Sequence, residues 1–179
     1  MNSPRNVFFV FLILSQAFSL QFARAQEVQE HQFLVKVGDM APDFEARLTD
    51  GTLFKLSENR GKVVMLQFTA SWCGVCREEM PHIQKLIWES LRNKDFVVIG
   101  VDYKEDKLKS KQFASDMKIS YPLAIDSIGE IFHRFAQKGA GVTRNVIIDK
   151  NGKIIFLTRL FKMDEFLDMK DLIFKAVHD

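Results

Sequence analysis

The chain has 179 residues, 47% of them apolar, with 17 phenylalanines, which is enough for one domain with a large aromatic core. Lys and Arg number 25 against 23 Asp and Glu, and the two surplus cations, Arg5 and Arg24, both lie in the first 25 residues, which hold no acid. The remainder is therefore balanced, which excludes a nucleic-acid binder or an anionic-membrane binder recruited by net charge.

Arg5, the apolar run Val7 to Leu14 and the small-x-small triplet Ala23-Arg24-Ala25 read as a secretory signal cleaved after Ala25. The apolar run is short for a bilayer, which takes about 20 residues in a helix. No cysteine stands at the cleavage point to carry a lipid. The mature protein is expected to start at Gln26, free of a stable membrane anchor, in the periplasm or another oxidising extracytoplasmic space. The expected organisation is a signal peptide over 1–25, a flexible polar segment over 26–36 and one domain over 37–179.

Along that domain, 43–46 and 52–55 read as short strands around the turn Asp50-Gly51. The apolar run 63–69 is a central strand. A helix follows over 73–91, with apolar residues at helical spacing and Pro81 expected to kink it. Then come a strand over 96–101, a helix over 106–117, a short strand over 121–125 and a helix over 128–135. Residues 145–149 and 153–160 pair about the turn Lys150-Asn151-Gly152, and 163–177 closes the chain as an amphipathic helix. Strands alternating with helices imply a parallel portion, and the last hairpin adds antiparallel edges.

The chemistry concentrates in Trp72-Cys73-Gly74-Val75-Cys76, which holds the only two cysteines. A strand delivers Cys73 to a turn where a helix starts. There, unpaired backbone N–H groups and the positive end of the helix dipole favour thiolate over thiol, and thiolate is the attacking form. Cys76 sits one turn on, placed to displace whatever Cys73 has captured. A structural staple would close a tiny loop, worth roughly 2 kcal/mol against about 4.7 for a loop of ~100 residues. A zinc site wants four ligands, and no second cysteine pair exists. The pair reads as a redox dithiol.

From Val37 onward the chain resembles the periplasmic thiol–disulfide oxidoreductases of the TlpA/ResA type, within the redoxin (AhpC-TSA-related) superfamily. The resemblance rests on Gly38-Asp39-Met40-Ala41-Pro42-Asp43-Phe44, on the run Phe68 to Pro81 around the cysteines, and on Ile147 to Lys153. It implies a thioredoxin-like three-layer α/β/α sandwich. That fold has a mixed sheet, a C-terminal β-hairpin with a closing helix, and an extra N-terminal β-hairpin. It also implies an enzyme that needs no cofactor and no metal, because the dithiol carries the electrons. Cys73 is then the nucleophile and Cys76 the resolving thiol. Trp72, Val142 and Thr143 contact the substrate. The partners are protein disulfides and a membrane or periplasmic electron donor. The resemblance favours reduction of those disulfides, while the oxidising compartment would permit oxidation.

Three departures from the thioredoxin pattern matter. Thr143 stands where the family usually has a cis-proline, and a non-proline cis bond costs about 2.5–4 kcal/mol, so a trans bond is expected. Gln67 replaces thioredoxin's buried carboxylate. Glu79 matches an acid of the ResA-type proteins, which implies an acid–base role, against the alternative of a solvated helix glutamate beside Arg77 and Glu78. Val75 replaces the usual proline between the cysteines. Two rival functions follow from the same residues. A thiol peroxidase would use Arg144 near Cys73, although an exposed loop arginine is the simpler expectation. A Sco-like copper-delivery protein would use His82 or His133, but those proteins space their cysteines by three residues.

Overall fold

The computed structural model describes residues 32–179; the expected signal over 1–25 and the segment from 26 to 31 lie outside them. The compact unit runs from Leu34 to Asp179.

Strands β1 (Glu45–Arg47) and β2 (Leu53–Lys55) form an antiparallel hairpin. Its turn is held by Asp50, whose Oδ1 accepts from Thr52 N at 2.8 Å and Thr52 Oγ1 at 2.7 Å. Five further strands make one mixed sheet: β3 (Val63–Thr69), β4 (Phe96–Tyr103), β5 (Leu123–Asp126), β6 (Arg144–Ile148) and β7 (Ile154–Arg159), in the spatial order β5-β4-β3-β6-β7. β3 runs parallel to β4 and antiparallel to β6. Every residue of β3 is buried. That follows from its central place, because layers cover the sheet on both faces and no position faces water.

Helix α1 (Gly74–Ile83) continues through a wider π-helical stretch, Gln84–Trp88, into a last turn, Glu89–Leu91. Pro81 does not end the helix. Proline supplies no N–H and crowds the preceding turn, and within one turn the hydrogen bonds slip register, with Glu89 N donating to Gln84 O. Helix α2 (Lys107–Asp116) starts at an Asp106 cap, whose side chain accepts from Lys109 N. Helix α3 (Phe132–Phe135) is shorter than the expected 128–135. The Asp126 carboxylate accepts from Ile131 N at 3.1 Å and Phe132 N at 2.9 Å, which places the helix start there. Helix α4 (Met163–His178) closes the chain.

One sheet face packs Met65, Val98 and Ile147 against Met80, Ile83 and Ile87 of α1 and Phe166, Met169 and Ile173 of α4. On the other face Phe68 meets Phe132 edge-on at 5.5 Å and Phe135 at 5.3 Å. Phe44 joins Phe54 of the hairpin to Phe135. Helices thus lie on both faces of the sheet, with the hairpin beside α3. The result is the thioredoxin-like sandwich, with its N-terminal and C-terminal hairpins in place. Among the described residues no helix is long and apolar enough to cross a membrane.

Candidate active site

β3 ends at Thr69, and the short link 70–73 leads to the first turn of α1. Cys73 caps that helix: its Sγ accepts from Cys76 N at 3.2 Å, and its carbonyl accepts from Arg77 N at 3.1 Å. Cys73 and Cys76 are joined as a disulfide. Cys73 is 8% exposed and Cys76 fully buried, so Cys73 is the sulfur nearer to solvent. Trp72, beside it, is 62% exposed.

The link between β3 and α1 is anchored from a neighbouring strand end. Glu105 accepts from Ser71 N at 2.9 Å and Ser71 Oγ at 2.6 Å and pairs with Lys109 at 2.8 Å. These donors hold its carboxyl below the usual carboxylate range against the opposing effect of burial. Asp102 lies beside it, fully buried. Burial first, and then the Glu105 charge, push its pKa up to about 7. Arg77 adds a third tie, its Nε donating to Ser71 O at 2.7 Å.

The opposite wall is the segment entering β6. Among the described residues no peptide bond is cis, so Thr143 follows a trans bond. Its carbonyl accepts from Leu160 N at 3.2 Å and Arg159 Nη1 at 3.1 Å. So held, its Oγ1 lies 3.1 Å from Cys73 Sγ and 3.3 Å from Cys76 Sγ. Val142, its neighbour, is buried. Arg144 is buried as well, not an exposed loop residue. Strand alternation turns it to the sheet face opposite Thr143. There its guanidinium lies 5.5 Å from the Phe132 ring centroid, and its Nε and Nη2 donate to Gly141 O at 3.1 and 3.0 Å.

One helical turn beyond Cys76, Glu79 is buried rather than solvated. Its Oε1 accepts from Asn145 Nδ2 at 2.6 Å and its Oε2 from Gln67 Nε2 at 3.1 Å. Gln67 in turn accepts from Tyr121 O–H at 2.7 Å, and Asn145 Nδ2 also reaches Thr158 Oγ1 at 2.8 Å. Burial raises the Glu79 pKa to about 7, the two amide donors opposing it and the Glu165 charge adding to it. A carboxyl poised there can exchange a proton at neutral pH.

Cys73, Cys76, Thr143 and Glu79 thus share one site, with Trp72 at its mouth. Asn145, Thr158, Tyr121, Asp102 and Glu105 went unnoticed in the sequence. The available signal was a polar residue at an inward strand position, such as Asn145, two residues beyond Thr143. His82 stacks at 5.2 Å on Phe161, and His133 lies at 3.4 Å from Tyr103 O–H. Among the described residues no cluster of three or more His, Cys, Asp or Glu is arranged to hold a metal ion.

The AhpC/TSA family model matches residues 37–157. Thiol-disulfide oxidoreductase ResA of Bacillus cereus (strain ATCC 10987 / NRS 248) is 28% identical over 155 residues, covering 87% of this chain and 88% of that protein. ResA of Geobacillus thermodenitrificans (strain NG80-2) is 32% identical over 121 residues, 67% of each chain. A solution structure from Bacteroides thetaiotaomicron, provisionally assigned as a protein disulfide isomerase, is 48% identical with a TM-score of 0.81, covering 84% of this chain and 95% of that one.

Proposed function

The chain belongs to the AhpC/TSA family and is a thiol–disulfide oxidoreductase of the ResA type, and from that premise we propose that it reduces protein disulfides outside the cytoplasm, with Cys73 as nucleophile, Cys76 as resolving thiol and Glu79 as proton acceptor. The observation that carries this reading is the Cys73–Cys76 pair at the start of α1, under the Thr143 hydroxyl.

In the reduced protein the Cys73 thiolate attacks one sulfur of a partner disulfide. A mixed disulfide forms, and the partner's other sulfur leaves as thiolate. Cys76 gives its proton to Glu79 and attacks Cys73 Sγ. The mixed disulfide breaks, and the partner's second sulfur leaves reduced. The protein is left as the Cys73–Cys76 disulfide, two electrons having passed to the partner. A membrane-bound or extracytoplasmic dithiol then returns it to the reduced form. No cofactor enters, because the two sulfurs carry the electron pair. Trp72, with Val142 and Thr143, frames the partner's sulfur. Arg5, the apolar run from Val7 and Ala23-Arg24-Ala25 support export with cleavage after Ala25, a short segment over 26–36 and the working domain over 37–179.

The test is an assay of the chain from Gln26 for insulin disulfide reduction, peroxide turnover and bound copper, beside Cys73→Ser and Cys76→Ser. Disulfide reduction lost in Cys73→Ser supports the reading. Peroxide turnover that survives Cys76→Ser, with no disulfide reduction in the parent, would replace it with a thiol peroxidase.

A further inference from the structure

Glu79 sits between two amides that are held differently. Gln67 has both ends engaged: its carbonyl accepts from Tyr121 and its amide nitrogen donates to Glu79. Asn145 does not. Its Nδ2 serves both Glu79 and Thr158, while its Oδ1 is buried with no hydrogen-bond partner among the described residues. A buried acceptor left unsatisfied is costly, and an instance in a core calls for a reason. The reason lies in what the nitrogen does, since the 2.6 Å contact to Glu79 Oε1 is the shorter of the two that the carboxyl receives.

The placement follows from two periodicities. On α1, Cys76 and Glu79 are three residues apart and share a face. On the strand, Thr143 and Asn145 are two residues apart and share a face. The rises differ, about 4.5 Å for three helical residues and about 6.6 Å for two strand residues, by an amount that side-chain reach spans. So Thr143 stands over Cys76 and Asn145 stands over Glu79, as two rungs of one ladder.

We propose that Asn145 is a positioning residue that keeps the Glu79 carboxylate available to take the Cys76 proton. This rests on the reading of Glu79 as proton acceptor. Donors to a carboxylate favour its charged form, while burial favours the neutral one. Burial and the Glu165 charge from α4 press Glu79 toward the protonated form, which cannot accept a proton. Gln67 and Asn145 are the groups pressing the other way. Tyr121 is hydrogen-bonded to Gln67 rather than to Glu79 and stays protonated, its own pKa raised by burial and by the Glu79 charge. Thr158 orients the Asn145 amide from the paired position on β7.

The experiment follows two quantities from pH 5 to 9 in the chain from Gln26. One is the single-turnover rate at which the reduced protein reduces insulin. The other is the infrared carboxylic-acid band of the oxidised protein that is lost in Glu79→Gln. Asn145→Leu, close in volume but without a donor, should move both profiles alkaline by about one unit. Its rate at pH 6.5 then falls about tenfold and recovers at pH 9. Thr158→Val should move both the same way by about half as much. If Glu79→Gln leaves the rate profile unchanged, the role of Glu79 itself fails, whatever the infrared band does. If Glu79→Gln abolishes both while Asn145→Leu and Thr158→Val titrate with wild type, Asn145 has no such role and the inference is overturned. Should Asn145→Leu not fold, Thr158→Val decides by the same criterion.

Discussion

Thr143 Oγ1 stands 3.1 Å from Cys73 Sγ, across 70 residues of chain, with Cys76 Sγ 3.3 Å away on its other side. One hydroxyl carries one proton, so it can donate to only one sulfur at a time. In the reduced protein the charged sulfur is the stronger acceptor, and Cys73 at the helix start is the one expected to carry the charge. Thr143→Val keeps the shape and deletes the donor. The Cys73 pKa should rise by about one unit, and the reduction potential should become more negative as the thiolate loses support. Alkylation rate against pH measures the first and equilibration with glutathione the second. A variant that titrates with wild type would make Thr143 a purely structural neighbour of the sulfurs.

Stability should depend on pH through Glu79. Its pKa is about 7 folded against an ordinary 4.5. The folded state therefore holds a proton that the unfolded state has released between those values. This contribution is fully present below about pH 4.5 and is lost as pH rises to about 7, amounting to about 3 kcal/mol. Asp102, also raised to about 7, adds a slope of the same sign. The readout is thus the difference between wild type and Glu79→Gln in guanidinium unfolding of the oxidised protein. The glutamine variant should lose part of the decline between pH 4.5 and 7, and two parallel curves would contradict the assignment.

Cys76→Ser should accumulate mixed disulfides between Cys73 and natural partners, because the resolving attack is gone. These would appear as reducible adducts when the variant is incubated with an extracytoplasmic extract and run on a non-reducing gel. Adducts formed by Cys73→Ser instead would exchange the roles of the two sulfurs.

Trp72 is 62% exposed beside a sulfur that is nearly covered. A large exposed aromatic at the mouth of a site is suited to contact with a partner surface. Trp72→Ala should raise KM for insulin several-fold. The rate with a small aromatic disulfide and the Cys73 pKa should stay close to wild type. Equal losses on both substrates would mean that Trp72 shapes the loop rather than meeting the partner.

Much of the fold was legible in the sequence. The run 63–69, with five apolar residues in seven, announced a central strand. The cysteines immediately after it announced a dithiol at a helix start, because strand, turn and helix signals are local and repeat with fixed periods. The Lys150-Asn151-Gly152 turn and the amphipathic pattern from 163 were readable for the same reason. Helix ends were less so: the Asp126 carboxylate moves the start of α3 from 128 to 132, a choice made by side-chain caps that period alone does not encode.

By itself the sequence determined which atoms are proposed to do the chemistry, since Cys73 and Cys76 are the chain's only cysteines and their spacing is a local property of one helix turn. The tertiary structure alone decided what surrounds them. Gln67, Glu79, Tyr121, Asn145 and Thr158 come from separate elements and meet because β3 pairs with β6 in the register Gln67–Asn145, and β6 with β7 in the register Asn145–Thr158. A strand register is set by the summed packing of a whole sheet face, and a slip of β6 by one residue would turn Asn145 away from Glu79 and Thr158. That is why Gln67 looked like a lost carboxylate in the sequence, and why in the fold it is one of two amides holding the carboxylate that remains.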